Sequence, residues 1–469
     1  MKAAWSPSAL LVVAAFAGCL AAESGDAPLD PASETSAIVP GRTVDPLVGD
    51  PLPSAAPHDH ADPAQHAVEA NVQLVTWASE DAGAASYAEL DVQGDWLAQC
   101  SDGSVLLWNV SQPDRPALAS TLTLERSCPD VKMTDDAAYL VAGGTQLWDI
   151  RDKEDPVKVA ENDDTGCHMC AIHEIAGKEY LFSAANGEGM LISELRREPA
   201  AIERVGEWGF GRSCLDDPAR WLGNLRAPDP DCVIIGQFHD VYVYDDPLLN
   251  RTIAVPAYWD LGIWFVDVTD PSKPETLGNW QDYKGESGDI HTTAVDFLMV
   301  DGEIRRIAVA ASETGPIIGP FSVAEPSSVY VLDATDLDDI HLLARWVNPG
   351  KRPSGALGGV VGEFSTHNLQ FEKGRVYLAH YHAGVWVLDV QGWLDAGGAS
   401  ATTSHVTGDA VPVLGVFNTR GLDGTKGQSM VWDVVLHDGF VYASDIRFGL
   451  FVLHFDGDPM YDPAWTSDA

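Results

Sequence analysis

The clearest copy of a pattern that returns along this chain reads Trp264-Phe265-Val266-Asp267-Val268-Thr269-Asp270-Pro271-Ser272-Lys273-Pro274. An apolar run rich in β-branched and aromatic residues ends in an acidic residue, and a polar turn with proline follows. Runs of this kind, bounded by turn residues, are typical of β-strands. Earlier copies occupy 106–116 and 146–156, and weaker copies begin at Val331 and Val387. Repetition on this scale predicts a repeat architecture.

The repeating unit is larger than one strand and its turn. In the last unit, apolar runs at 434–436 and 440–443 flank the turn His437-Asp438-Gly439, and a third run follows at 450–453. Asp-Gly between two alternating runs is a strong signal for an antiparallel hairpin. Beyond the N-terminus no segment shows a convincing helical period. Each unit is therefore predicted to be a small antiparallel sheet.

The residue that ends the cassette strand marks seven units, at Asn109, Asp149, Glu194, Asp267, Asp333, Asp389 and His454. The first three lie about 40–45 residues apart, the length of a four-stranded blade, and longer spacings need inserted loops. The sequence predicts an all-β fold, a seven-bladed β-propeller of four-stranded antiparallel blades. The last unit lacks one strand, and 71–77 forms a strand without a unit. We expect that strand to join the last blade and close the ring, which leaves no open edge there.

The cassette resembles the LVIVD repeat, a strand normally continued by Ser/Thr-Asp-Pro-x-x-Pro, and 265–274 matches it almost throughout. The resemblance covers about residues 72–457. It implies a seven-bladed propeller that is secreted or surface-anchored, and it implies no settled activity. The third unit departs most, because Ile192-Ser193-Glu194-Leu195 is not followed by an Asp-Pro turn.

The N-terminus predicts export. Lys2 precedes an apolar stretch at 9–17, which is too short to span a bilayer and is typical of a secretory signal. Phe16-Ala17-Gly18-Cys19 looks like a lipobox, which would make Cys19 the lipidated first residue of a mature lipoprotein held on the outer face of a membrane or at the cell surface. An ordinary cleaved signal is the alternative. The predicted organisation is a signal peptide at 1–18, a flexible acidic Ala/Pro-rich tether at 19–70, the propeller at 71–458 and a tail at 459–469.

The charge balance excludes one class of partner. The chain has 28 basic and 70 acidic residues and a formal net charge of −42. Such a surface repels nucleic acid and anionic membranes, so we expect no nucleic-acid binding and membrane contact only through the lipid anchor. We predict that one propeller face binds a protein or glycan ligand. We also predict that the chain is a monomer.

Six cysteines follow Cys19, and an even count in an exported chain favours disulfides. Cys214 and Cys232 lie in one long insertion and are the first predicted pair. Cys167-His168-Met169-Cys170 has metal or redox spacing, but no second such motif completes a four-thiolate site. We expect cystine there, formed either locally or with the two other cysteines, which are Cys100 and Cys128.

The start of the innermost strand carries the candidate site, because equivalent residues of different blades converge near the propeller axis. His239, His291 and His367 occupy this position in three successive units. Aligned on the following turn, the other units place Pro129-Asp130, Met169-Cys170 and Trp432-Asp433 in register. Neutral imidazoles there could bind Zn, Cu or Fe, with Asp240 or Asp433 behind them. In the alternative, these polar residues hydrogen-bond adjacent blades and fix their packing.

No nucleophile elbow, phosphate-binding glycine loop or zinc-protease motif is present, so no catalytic residue is assigned and the sequence does not decide whether the protein is an enzyme. The favoured function is an exported, membrane-tethered binding scaffold; the alternative is a metal-dependent oxidoreductase or hydrolase with its histidines at the axis. A divalent or transition metal is the one cofactor for which ligands are evident. The insertion 203–235, the segment 313–326 and aromatic anchors at Tyr258, Trp259 and Tyr283 would shape the binding face.

Overall fold

The computed structural model describes residues 71–79, 86–185, 189–209, 238–259, 261–281, 290–313, 327–348, 365–398, 411–419 and 429–455. Within these ranges, 28 strands form seven four-stranded antiparallel sheets arranged as the blades of a propeller. The predicted fold class is confirmed. The predicted signal peptide, tether and C-terminal tail lie outside the described residues and stay predictions.

The blades are numbered in chain order, and the first six take their strands in order from the axis outward. Blades 1 and 2 comprise β2 (Tyr87–Gln93), β3 (Trp96–Ser101), β4 (Ser104–Asn109), β5 (Ala117–Thr123), β6 (Val131–Met133), β7 (Tyr139–Ala142), β8 (Gln146–Asp149) and β9 (Val157–Glu161). Blades 3 and 4 comprise β10 (Cys170–Ile175), β11 (Lys178–Ala185), β12 (Gly189–Arg197), β13 (Ala200–Trp208), β14 (Phe238–Asp246), β15 (Arg251–Tyr258), β16 (Gly262–Asp267) and β17 (Glu275–Trp280). Blades 5 and 6 comprise β18 (Ile290–Val300), β19 (Glu303–Ser312), β20 (Ser328–Asp333), β21 (His341–Val347), β22 (Leu369–Glu372), β23 (Arg375–His380), β24 (Gly384–Asp389) and β25 (Val413–Phe417). Blade 7 comprises β26 (Val431–His437), β27 (Phe440–Asp445), β28 (Gly449–Phe455) and the N-terminal β1 (Val72–Ala78).

The N-terminal strand closes the ring, as predicted. β1 pairs antiparallel with β28, from Val72 opposite Phe455 to Ala78 opposite Leu450. The Trp77 indole N–H adds a hydrogen bond to the Phe448 carbonyl. The outermost strand of the last blade therefore comes from the other end of the described chain, and blade 7 is complete.

The core is divided among the blade interfaces. Among the described residues, seven clusters of buried apolar side chains form, and each one joins two neighbouring blades. Successive side chains of a strand point to opposite sheet faces. In β15, Ile253 and Val255 therefore pack toward blade 5, whereas Ala254 and Tyr258 pack toward blade 3. Closing the ring gives every blade two such partners.

The cassette's acidic residue orders the turn after the third strand of the blade. An Asp267 carboxylate oxygen accepts the Thr269 backbone N–H at 2.9 Å, and Asp333 accepts that of Thr335 at 3.0 Å. The turn then packs on the outermost strand of the preceding blade. A Cβ atom on Gly278 of β17 would lie 2.0 Å from the Leu337 carbonyl oxygen of the blade 5 turn. The cassette thus forms a blade-to-blade contact as well as a strand.

A six-residue helix, α1 (Val390–Asp395), follows the blade 6 cassette and was not predicted. Asp389, the cassette residue, caps it by accepting the Gly392 N–H at 2.9 Å. The buried Val390 and Trp393 belong to the core between blades 5 and 6. A helix this short has too few turns to produce a visible helical period.

The boundaries of the predicted insertion at 203–235 differ in the structure. Its first residues belong to β13, the outermost strand of blade 3, and 210–237 lies outside the described residues. The segment 314–326 lies outside them as well. Among the helices that the structure describes, none has the length and apolar character needed to cross a membrane.

Candidate functional site at the propeller axis

The innermost strands of all seven blades surround an axial channel of about 490 Å³. The channel is lined by Asp91, Lys132, Asp240 and Asp433, among others, and by Tyr242 and Leu436 further along the innermost strands. At the strand starts, two successive layers of side chains cross the axis. The outer one, called here the histidine layer, consists of His168, His239, His291, His367 and Trp432.

The rings of the histidine layer contact one another in sequence around the axis. Ring centroids are 4.4 Å apart for His168 and His239, 3.9 Å for His239 and His291, and 4.1 Å for His291 and His367. Trp432 follows at 3.9 Å from His367. The structure therefore brings together the three histidines predicted to converge.

A β-bulge places the two central histidines. In blade 4, Phe238 pairs with Tyr258 and Asp240 with Ala257, which leaves His239 without a partner across the strands. In blade 5 the same shift leaves His291 unpaired. A bulge re-aims the side chain of its extra residue. Here it turns both imidazoles into the histidine layer.

The predicted register of the third unit was wrong by one residue. The His168 N–H donates to the Ala184 carbonyl at 3.0 Å, as the His367 N–H donates to Ala379 at 2.9 Å. His168, rather than Met169, is therefore equivalent to His367. The innermost strands differ in length, six residues in β10 against four in β22, so counting back from the following turn misplaced the start of the third unit and the fourth histidine was missed. A histidine at the equivalent position of three other units was the signal that could have identified His168.

Burial keeps the imidazoles neutral. It lowers the pKa of His239 and of His291 well below the ordinary value, and the neighbouring histidines add to the effect. Burial also lowers the pKa of His367 to about 3. The His367 Nδ1–H donates to the Trp432 carbonyl at 2.7 Å, so Nε2 carries its lone pair. Neutral rings of this kind are competent metal ligands.

Glu313 completes the cluster and was not predicted. It follows β19, and one carboxylate oxygen lies 3.6 Å from His291 Nε2. The other oxygen accepts a hydrogen bond from the Tyr381 hydroxyl. Burial raises the pKa of Glu313 to about 7. Ligand atoms of His239, His291 and Glu313 all lie within 4.8 Å of one another. No local motif announces Glu313, because only the ring brings it beside histidines from other strands.

The second layer consists mainly of carboxyl and amide groups that join the blades. Asp433 of blade 7 accepts the Leu90 N–H of blade 1 at 3.0 Å, and Asp130 of blade 2 accepts the Cys170 N–H of blade 3 at 2.6 Å. Asp240 accepts the hydroxyl of Thr292 in blade 5 at 2.7 Å. For these acids the structure favours the packing interpretation over a role behind a metal ligand.

One half-buried amine lies among these acids, and the sequence did not reveal it. Lys132 Nζ donates to an Asp130 oxygen at 2.6 Å. Burial lowers the Lys132 pKa, but Asp130, Glu89 and Asp433 outweigh burial and raise it above the ordinary value. Burial, followed by Asp433 and Asp130, raises the pKa of Glu89 well above normal. Because carboxyl groups outnumber the amine in this second layer, binding of a cation there would be electrostatically favourable.

The four cysteines that the structure describes all form disulfides, and the Cys167–Cys170 bond is the local one. Disulfides join Cys100 to Cys128, across blades 1 and 2, and Cys167 to Cys170. The predicted pair Cys214 and Cys232 lies outside the described residues.

The predicted aromatic anchors separate into three cases. Tyr258 is 1% exposed and belongs to the core between blades 3 and 4, so it is not a surface anchor. Trp259 is half-buried, with its ring centroid 5.5 Å from that of His239. Tyr283 lies outside the described residues.

Comparisons with known proteins agree on fold. No protein-family model matches the chain, and no curated protein matches it. Kuenenia stuttgartiensis hydrazine synthase is similar over 81% of this chain and 99% of that chain, with a TM-score of 0.54 and 11% identity. U3-55K is similar over 82% and 98%, with a TM-score of 0.50 and 10% identity. At such identities the likeness is one of fold alone.

Proposed function

We propose that this protein is an exported, membrane-tethered LVIVD-type propeller that acts as a binding scaffold and takes part of a protein or glycan ligand into its axial channel. The observation that carries this function is the channel itself. Its volume of about 490 Å³ falls within the range of ligand-binding cavities. Its walls combine apolar side chains with a few converging charged groups, the usual composition of such cavities.

The charge in the channel suggests which part of a ligand enters. Asp91, Asp240 and Asp433 line the cavity with Lys132 as the one amine among the described lining residues. A cationic or hydrogen-bond-donating group would therefore be favoured beside these acids. The rigid ring needs no rearrangement to present this site, which limits the entropy lost on binding.

Filling the channel tests the proposal. The half-buried Ala171 lines the channel, whereas Ala117 is exposed on the outermost strand of blade 1. Ligands found on glycan arrays, or by crosslinking to envelope proteins of the native cell, are titrated against the wild type and the variants Ala171→Trp and Ala117→Trp. We expect Ala171→Trp to abolish binding while Ala117→Trp binds normally, with both variants folded by circular dichroism. Normal binding by a folded Ala171→Trp would refute the channel as the site.

Tethering has its own test. Cys19→Ser removes the predicted lipidation site, and the full chain should then leave the membrane fraction. Membrane association that persists in Cys19→Ser would contradict a lipid anchor.

The alternative function, a metal-dependent enzyme, is favoured by one observation, the proximity of His239, His291 and Glu313. It requires an ion at that cluster.

A further inference from the structure

We propose that His239, His291 and Glu313 form a binding site for one divalent first-row transition-metal ion at the histidine layer. The ligand set differs from the three histidines predicted from sequence, because a carboxylate replaces His367. The inference goes beyond the proposed scaffold function and does not depend on it, since none of the three proposed metal ligands lines the channel.

Unsatisfied buried nitrogens are the first observation. His291 is fully buried, and neither ring nitrogen has a hydrogen-bond partner among the described residues. His239 is 3% exposed, and its Nδ1 likewise has none there. Buried polar atoms are nearly always paired, so each such atom calls for an explanation. A histidine that served only to pack the blades would be expected to bond to a neighbouring backbone, as His367 does and as His239 does toward His291. His291 makes no such bond among the described residues, and His239 Nδ1 makes none either.

The nearby carboxylate does not satisfy His291 by itself. At 3.6 Å, the separation of Glu313 from His291 Nε2 is too long for a hydrogen bond. An ion between the two groups would satisfy both.

The spacing suits a shared ion. Zinc and similar metals bind imidazole nitrogen and carboxylate oxygen at about 2.0–2.2 Å, which sets ligand atoms about 3–3.5 Å apart. The three ligand atoms lie within 4.8 Å of one another. Side-chain rotations that shift these atoms by roughly an ångström are enough to reach metal distances.

Surrounding groups hold the ligands as metal sites require. The Tyr381 hydroxyl donates to one Glu313 oxygen and leaves the other directed toward His291. His168 packs edge-on against His239 with ring centroids 4.4 Å apart, which restricts that ring. Partners of this kind orient metal ligands and tune affinity.

The donor set indicates the class of metal. Two imidazoles and one carboxylate suit zinc or ferrous iron, whereas calcium and magnesium prefer oxygen ligands. Three protein ligands leave at least one coordination position for water or substrate, as in catalytic rather than structural zinc sites.

The test uses the full chain, stripped with a chelator and reloaded separately with Zn²⁺, Fe²⁺ under anaerobic conditions, and Ca²⁺. Metal content is measured by mass spectrometry and affinity by calorimetry. We expect about one Zn²⁺ or Fe²⁺ per chain and no Ca²⁺ at the same concentration. A folded wild type that retains neither transition metal overturns the proposal.

Three variants locate the ion. His291→Gln and Glu313→Gln should each weaken Zn²⁺ binding by at least about 100-fold, the upper end of losses seen for residues merely supporting metal ligands. His454→Gln changes a buried histidine outside the layer and serves as the matched control. An equal loss in the control, or unchanged binding in a folded Glu313→Gln, contradicts the assigned ligand set.

Co²⁺ provides a second readout if a variant folds poorly. Bound to the wild type, it should give the visible absorption of a low-coordinate nitrogen and oxygen site, and Glu313→Gln should shift that spectrum. A spectrum identical to that of aqueous Co²⁺ would refute the site even where binding is measurable. Ligand binding in the channel, assayed with Ala171→Trp, is unaffected by any of these outcomes, so the two proposals fail separately.

Discussion

Replacing Lys132 with methionine should be among the most damaging single changes near the axis. Its amine lies 2.6 Å from the fully buried carboxylate of Asp130. At that distance and an effective dielectric constant of about 20, Coulomb's law gives an attraction of roughly 6 kcal/mol. Desolvation offsets part of it, and the Lys132 side chain is 23% exposed, so the pair is weaker than the fully buried pairs whose disruption costs about 3–5 kcal/mol. We expect Lys132→Met to lower the free energy of unfolding by about 2–3 kcal/mol.

The acid excess gives the prediction a pH dependence. Burial raises the pKa values of Asp130 and Glu89, so the folded chain holds their protons more tightly than the unfolded chain. Stability from such groups is complete below the unfolded pKa, about 4, and is lost as pH rises through the folded value. Without Lys132 these acids repel one another more strongly when ionised. The loss in Lys132→Met should therefore be larger at pH 8 than at pH 5.

Urea unfolding followed by tryptophan fluorescence measures the effect at both pH values. In a double variant, Lys132→Met with Asp130→Asn, no unpaired charge remains in this pair, and it should recover to within about 1.5 kcal/mol of the wild type. Lys178→Met is the control, because the ion pair of Lys178 with Glu194 is exposed and worth about 1 kcal/mol or less. A loss in Lys132→Met no larger than in this control, or a double variant as unstable as Lys132→Met, would refute the reasoning.

Four further outcomes are expected. Replacing Cys100 and Cys128 by alanine opens a loop with a sequence separation of 28 and should cost about 3–4 kcal/mol in urea under non-reducing conditions; a cost below about 1 kcal/mol would contradict the chain-entropy estimate. Glu89→Gln should stabilise the chain more at pH 8 than at pH 4, because the raised pKa of the native carboxyl makes its ionisation unfavourable; equal urea midpoint shifts at both pH values would speak against that. Gly278→Ala should lower stability by about 1–3 kcal/mol in thermal melts, since its Cβ would overlap a carbonyl of the next blade, and an unchanged melting temperature would show that the turn can move. Deleting β1 exposes the edge of β28 and should cause association visible by size-exclusion chromatography, whereas a stable monomer would show that ring closure is dispensable.

The sequence by itself determined the architecture. Strand period, turn residues and the cassette position are local properties that recur from unit to unit, so several weak signals reinforce one another. The prediction that 71–77 closes the ring followed because the last unit lacked its outermost strand and the strand at 71–77 belonged to no unit. The convergence of His239, His291 and His367 followed from their equivalent place in successive units.

Tertiary structure alone decided what the site is made of. Glu313 belongs to the end of a second strand and His168 to a unit whose innermost strand differs in length, so neither stands out in the repeat pattern. The pairing of Lys132 with Asp130 amid acids from other blades, and the local bond between Cys167 and Cys170, likewise depended on distances. A repeat specifies its own blade through contacts between near neighbours in sequence. The axis gathers side chains from all seven blades, and their chemistry is fixed only when the ring closes and excludes water from them.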